Sequence, residues 1–406
     1  MSPPILKGSQ TAASLRAAIS PGSANSLPLG SPGALLRSDP GLLVSIPPRS
    51  HVIRVLLLVF LSLCLIPALH ADETVVYRAG EDGYHTYRIP ALVATSKGTL
   101  LAFCEGRKTS KQDHGDVDLV LKRSSDGGNT WTKQQLVHED GGDEKITIGN
   151  PCPVVDATTG TIWLPLTRNN DAVLMLSSTD DGVTWSKPRD ITKSVKKENW
   201  TWYATGPGNG IQLTQGKHRG RLVIPCDHRV KEEKDRNLST RSHVIYSDDH
   251  GQTWQIGGLL TAGTNECAVA ELENGTLLIN MRSYRGKACR AISRSTDGGI
   301  TWSEVEDDPN LVEPICQASM IRIPSIEASG TRLAFCNPAD SKARKNLTLR
   351  ISHDDGQTWP LNKVICPGSS TYSSLAVLPG SNLGVLYERD NYKEIVFERI
   401  AVRAIR

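Results

Sequence analysis

"SSDGGNTW", Ser124 to Trp131, recurs four times with little change, as "STDDGVTW" (Ser178–Trp185), "SDDHGQTW" (Ser247–Trp254), "STDGGITW" (Ser295–Trp302) and "SHDDGQTW" (Ser352–Trp359). In the shared pattern S-x-D-x-G-x-T-W, the Asp side chain can bond the backbone two residues on, and the Gly supplies the positive φ of a tight turn. Each copy is therefore expected to be a hairpin turn, with Thr-Trp opening the next strand and the indole packed beneath. Strand-like runs precede every copy: VDLVLKRS, DAVLMLSS, SHVIYS, ACRAISRS and NLTLRIS. The boxed residues Asp126, Asp180, Asp249, Asp297 and Asp354 stand 54, 69, 48 and 57 residues apart. A period of about 40–55 residues with roughly four strands per unit is the mark of propeller blades. Residues 73–406 divide into six such units, one without the box, and no stretch shows sustained helical periodicity. The expectation is an all-β, six-bladed β-propeller. The boxes are then scaffold, and their aspartates, one to a blade, make no common metal site.

Composition sets the outer limits. Of 406 residues 38% are hydrophobic, enough for a sizeable core. The formal net charge is +3 with signs mixed along the chain, which argues against a nucleic-acid or membrane-surface partner. Residues 1–50, rich in Ser, Pro, Gly and Leu, read as disordered or as an extension outside the mature protein. Then comes VIRVLLLVFLSLCLIPALHAD, with Arg54 as basic flank, Val55–Ile66 as apolar core and small residues across Ala68–Ala71. Residues 51–71 thus read as a signal peptide, with a signal-anchor as the alternative. A start nearer Val52 would place that signal at the N-terminus. Export implies a secreted, periplasmic or cell-surface protein. Eight of the nine cysteines follow Ala71, stand singly and lack zinc spacing, so they read mainly as buried thiols.

Propellers host lectins, scaffolds and enzymes, so function must come from residues outside the repeat. Three arginines have unusual settings: Arg88 in TYRIPAL, Arg282 in LLINMRSY and Arg344 in NPADSKARKNLTL. They are remote in sequence, but the inner strands of a propeller converge on its axis. Three convergent guanidinium forks call for a planar anion such as a carboxylate. From about Thr74 to the C-terminus the chain resembles the exo-sialidases (neuraminidases) of bacterial and animal type. The specific part of the likeness is YRIP placed ahead of five Asp boxes. The resemblance implies that Arg88, Arg282 and Arg344 grip the carboxylate of sialic acid. It implies also that Glu388, in VLYERD, fixes Arg88.

The chemistry of that sugar accounts for the remaining candidates. Its anomeric carbon carries a carboxylate, which would repel an Asp or Glu nucleophile, and sialidases use Tyr instead. A tyrosine hydroxyl, with a pKa near ~10, needs a neighbouring base. The resemblance places the nucleophile at Tyr372 in GSSTYSSLAVL and its base at Glu266 in GTNECAVAEL, with Tyr387 and Tyr392 as weaker alternatives. It places the general acid at Asp113 in RKTSKQDHGDVDLVLKRS, in the loop before a strand that starts near Val117. Asp116 and Asp118 stand close by as alternatives, Asp118 in phase with the strand. Arg107 in CEGRK is expected near the O4 side of the sugar and Asn150 in GNPCPVVD near its N-acyl group. Where some relatives carry tyrosines after a V-P dipeptide, this chain reads IPCDHR, ending at Arg229. The sugar's glycerol side chain is thereby left without an assigned partner.

The reading is an exo-α-sialidase: a retaining hydrolase of terminal sialic acid on glycoconjugates, monomeric, with no metal and no organic cofactor. DHGDVD lacks the spacing of a calcium loop. One rival is a trans-sialidase, which needs an aromatic acceptor platform; Trp200 and Trp202 in NWTWYATG are the spare candidates. Another is a sialic-acid-binding propeller without catalysis, against which Tyr372, Glu266 and Asp113 together argue.

Overall fold

In the computed structural model, which describes residues 73–324 and 332–405, the runs before the five boxes are strands. They are Val117–Ser124, Ala172–Ser178, Thr240–Ser247, Cys289–Ser295 and Lys345–Ser352. Each is the third strand of an antiparallel meander. Thr86–Ala94 and Leu100–Arg107 precede the first of them and Gln135–His138 follows it. The next three sheets repeat this plan, with the opening strand split in two of them. The fifth sheet has seven strands, ordered Glu73–Arg78, Glu394–Ala401, Asn382–Arg389, Leu361–Leu378, Lys345–Ser352, Arg332–Pro338 and Ser319–Ile323. Its 18-residue strand Leu361–Leu378 pairs with Lys345–Ser352 along its first half and with Asn382–Arg389 along its second. Helix is confined, among the described residues, to Thr192–Val195 and the 3-10 turn Val402–Ala404. The extension 1–50 and the signal-like segment 51–71 lie outside the described residues.

The boxes are turns, closed differently from the sequence expectation. The Asp does not reach two residues on: its Oδ1 accepts the Thr N–H four residues on, at 2.8–3.0 Å in every box. The reason is the Ser two residues before it, whose Oγ already accepts the Gly N–H. Two short side chains thus satisfy two backbone donors of one loop. Gly128 has φ 96° and a Cβ there would strike the Phe397 ring. The box Trp packs under the turn, and Trp254, buried, donates through Nε1 to the Gly251 carbonyl at 3.0 Å.

Hydrophobic clusters join each sheet to the next. Leu101, Phe103 and Leu121 of the first sheet pack on Ile162, Leu164 and Leu176 of the second. Similar contacts run onward. The last sheet returns to the first through Tyr77, Leu386, Ile395 and Phe397 against Leu92, Leu100 and Ala102. The result is an all-β, propeller-like ring. Seven of the eight described cysteines are buried, and all eight are free thiols.

Candidate active site

Arg88 enters the cavity from an irregular stretch of its strand. The pairing of Thr86–Ala94 with Leu100–Arg107 shifts between Arg88 and Ala91. Ile89 sits at φ 60°, a strained conformation for a β-branched residue that the surroundings must enforce. The enforcer is Glu388, fully buried, whose Oε1 accepts the Ile89 N–H at 2.7 Å and Arg88 Nε at 2.8 Å. Its Oε2 accepts the Thr371 hydroxyl and the Tyr372 N–H. One carboxylate therefore registers Arg88 against Tyr372. Burial opposes the charge on Arg88, but Glu388 together with Tyr372 and Tyr392 more than offsets it and holds the guanidinium above its usual range.

Tyr372 Oη donates to Glu266 Oε1 at 2.5 Å, and both side chains are buried. Burial and the Glu266 charge push the phenol well up, while Arg282 and Arg344 pull it back. Arg282 Nη1 donates to Glu266 Oε2 at 2.8 Å and to Tyr372 Oη at 3.2 Å, and Nη2 donates to Tyr284 Oη at 2.8 Å. Arg344 lies over the Tyr372 ring, 5.8 Å from its centre. Its Nη2 donates to the Ile315 carbonyl at 3.2 Å. The neighbouring Glu313–Arg290 pair, 2.6 Å apart and buried, anchors that loop, because Arg290 also holds the Cys316 carbonyl. Among the described residues Arg344 has no ion-pair partner, so its charge is open to a ligand.

The first sheet supplies the opposite wall. Arg107, 2% exposed, binds Glu105 through Nε and Nη2 and Asp113 through Nη1 at 2.9 Å. Glu105 also accepts the Asn150 N–H at 3.0 Å; a Cβ on Gly149 would collide with its carboxylate. Asn150, at φ 58°, donates through Nδ2 to Thr167 Oγ1. The Asp113 side chain is 82% exposed and bridges Arg107 and, at 3.4 Å, Arg88. Its neighbours are elsewhere: Asp116 faces Lys108, and Asp118 accepts Tyr84 Oη at 2.6 Å beneath the strand. Tyr387 is core, and Tyr392 lies under Arg88, 4.1 Å from guanidinium to ring centre. Trp200 is buried against His228, ring centres 3.6 Å apart, so only Trp202 of the two tryptophans meets the cavity.

A cavity of about 870 Å³ thus gathers Arg88, Arg107, Asp113, Asn150, Glu266, Arg282, Arg344 and Tyr372 in its walls. Glu388 stands just behind it. The sequence reading missed Glu105, Tyr284 and Arg229. Two of these had a signal, since Glu105 shares the strand face of Arg107 two residues on, and Tyr284 follows Arg282 by two residues, just past the end of its strand. The arrangement offers a hydrogen-bonded nucleophile and base, a cluster of guanidiniums for a carboxylate and an exposed carboxyl across the cavity. Among the described residues no group of three or more His, Cys, Asp or Glu is placed to hold a metal ion.

The family profile described as a BNR repeat-like domain matches residues 98–385. The chain is 37% identical over 333 residues to a sialidase of Micromonospora viridifaciens, covering 76% of this chain and 50% of that protein. It is 34% identical over 362 residues to a sialidase of Bacteroides fragilis, covering 81% and 64%. The chain thus spans between half and two thirds of these two relatives. Against Sialidase-2 of Cricetulus griseus it is 30% identical over 356 residues, covering 78% of this chain and 92% of that protein. Among solved structures, the Hadza microbial sialidase Hz136 superposes with a TM-score of 0.75 at 32% identity, over 82% of this chain and 69% of that one. A leech intramolecular trans-sialidase gives 0.71 at 18% identity, over 82% and 71%, a likeness of fold alone.

Proposed function

The chain belongs to the sialidase family, and from that premise we propose that it is an exo-α-sialidase releasing terminal sialic acid from glycoconjugates by a retaining, tyrosine-linked route. The observation that carries this reading is the 2.5 Å hydrogen bond from Tyr372 to Glu266 amid Arg88, Arg282 and Arg344. The three guanidiniums take the substrate carboxylate, Arg107 faces O4 and Asn150 faces the N-acyl group. Tyr372 Oη attacks the anomeric carbon while its proton passes to Glu266 Oε1. The bond to the leaving oxygen breaks, and Asp113 supplies that oxygen with a proton. Water then attacks the same carbon, Asp113 takes its proton, and the departing phenolate recovers its own from Glu266. A neutral phenol does not repel the incoming carboxylate as an Asp or Glu nucleophile would. The neighbouring arginines stabilise the phenolate character that develops as it reacts.

Two further readings belong to the proposal. Counting the two halves of Leu361–Leu378 as separate blade strands gives six four-stranded blades, the last closed by Glu73–Arg78. Export through the apolar run near Val55–Ile66 would put the enzyme where its substrates are displayed. The test is release of free sialic acid from linkage-defined sialosides, wild type against Tyr372→Phe. The variant should lose turnover by a factor of about 10³ or more while still binding substrate. A variant that keeps the wild-type rate sinks the tyrosine-linked route.

A further inference from the structure

Arg229 stands opposite Trp202 across the pair Trp200–Thr205 and Leu222–Val230, its guanidinium 5.0 Å from the indole centre. Its Nε is buried without a hydrogen-bond partner, and among the described residues no carboxylate pairs with it. Arg236, exposed on the following loop, lines the same cavity. The acids of that loop are turned elsewhere: Glu232 accepts from Asn199 Nδ2, and Glu233 accepts the Asp235 N–H. Asp227 accepts from Asn265 Nδ2, and burial, then the nearby Glu266 charge, pushes its carboxyl well up toward the neutral form. Asp235, the third acid of the loop, accepts the N–H groups of Asn237 and Leu238. Two cations therefore share a wall of the cavity, and among the described residues no anion forms an ion pair with either. The substrate carboxylate is already taken by Arg88, Arg282 and Arg344.

The wall's position says which part of a ligand it meets. The charges around Asp113, on the leaving-group side, are Arg107, Arg88 and Arg344. Those around Arg229 are Arg236, Asp227, Tyr284 and Arg282. Around the sugar ring, substituents run from the carboxylate carbon through O4 and the N-acyl group to the side chain. Around the cavity, Arg88 and Arg107 come from the first sheet, Asn150 from the second, Trp202 and Arg229 from the third. The third sheet faces the side chain.

We propose that Trp202, Arg229 and Arg236 form a second oxyanion site, which takes an acidic substituent such as a sulfate ester on the side chain of the sugar that is released. The proposal rests on the exo-sialidase reading, since that reading orients the ring. The indole holds the Arg229 fork in one plane, and a guanidinium fork matches two oxygens of a tetrahedral or planar oxyanion. The segment IPCDHR supplies Arg229 for this purpose.

The test uses an aryl α-sialoside and the same compound sulfated on the terminal hydroxyl of its side chain. The readout is the ratio of kcat/KM for the sulfated over the plain substrate. Wild type should favour the sulfated compound by about tenfold or more. Arg229→Gln and the exposed Arg236→Gln should each bring the ratio down toward one. A folding defect lowers both rates alike and leaves the ratio standing. A wild-type ratio at or below one, unchanged in both variants, overturns the proposal and leaves the arginines as donors to plain hydroxyls. If neither compound is cleaved, the exo-sialidase reading fails instead. Calorimetry then decides on the same pair: tighter binding of the sulfated compound, lost in Arg229→Gln, upholds the site, and equal binding overturns it.

Discussion

In the proposed mechanism Asp113 has a proton problem. A general acid must arrive protonated, yet, although desolvation opposes its charge, Arg107, Arg88 and Arg344 together hold the Asp113 carboxyl below the usual carboxylate range. The substrate supplies the remedy. In the proposed binding mode its carboxylate sits at Arg88 and Arg344, which adds a negative charge beside Asp113 and neutralises part of the field that ionises it, so the pKa of Asp113 should rise in the complex. The sign follows. With a poor leaving group, both kcat/KM and kcat fall as pH rises through the pKa of the acid. The fall in kcat/KM reports the free enzyme and should lie at lower pH than the fall in kcat. Coincident limbs would remove this account. Asp113→Ala should slow cleavage of sialyl-lactose by about 10²-fold or more and an aryl sialoside far less. Asp116→Ala, on Lys108, should show no such split; the opposite outcome moves the acid three residues along the loop. Legibility at this scale was uneven. Tyr372, Glu266 and the three arginines could be named because each sits in a short motif of the resemblance. Arg229 beside Trp202 could not, because that contact depends on which residues of two strands face one another, and register leaves no mark on a single strand's sequence.

The Asp box shows how one turn sets a strand pair. In the fourth copy, Asp297 Oδ1 accepts the N–H groups of Ile300 and Thr301 at 3.0 and 2.9 Å, and Oδ2 accepts Thr301 Oγ1 at 2.6 Å. Slight burial works against the charge, but these bonds prevail and lower the carboxyl to about 2. A carboxyl depressed in the folded state stabilises above its unfolded value of about 3.9, and that contribution is lost as pH falls through the folded value. Asp297→Ala should therefore cost about 1–2 kcal/mol at neutral pH, measured by denaturant unfolding. The gap from wild type should narrow as the pH falls from about 5 toward 2. A gap that holds constant would mean the side chain acts by shape and not by charge. The five boxes were plain in the sequence because the motif is local, and so were their preceding strands. The wiring of each turn was not. The sequence could show that Asp and Gly favour a turn, but not that Ser would take the Gly N–H and send the Asp on to Thr.

Closure of the ring is a property of the whole chain, and the sequence left it blank because its partners lie some 300 residues apart. Strand Glu73–Arg78 pairs with Glu394–Ala401, while Tyr77, 1% exposed, donates its hydroxyl to the Ala102 carbonyl of the first sheet at 2.7 Å. One short strand thus fastens the last sheet to the first. The ion pairs Arg389–Glu73 and Arg78–Glu394 add to the seam, but they are partly exposed and worth little. The weight falls on Tyr77 and its apolar neighbours. The seam also runs under the active site: Arg88 belongs to the first sheet and Glu388 to the last, 2.8 Å apart. Opening the seam would take the arginine away from the carboxylate that aims it while the other sheets stay folded. Tyr77→Phe keeps the ring packed and should cost about 1 kcal/mol. Tyr77→Ala leaves a cavity at the seam and should cost about 3–5 kcal/mol. In wild type, loss of activity and loss of tryptophan fluorescence should share one urea midpoint. In Tyr77→Ala the activity midpoint should drop below the fluorescence midpoint, because the seam becomes the first unit to open. If the two midpoints stay together in Tyr77→Ala, the seam does not open on its own, and the ring unfolds only as a whole.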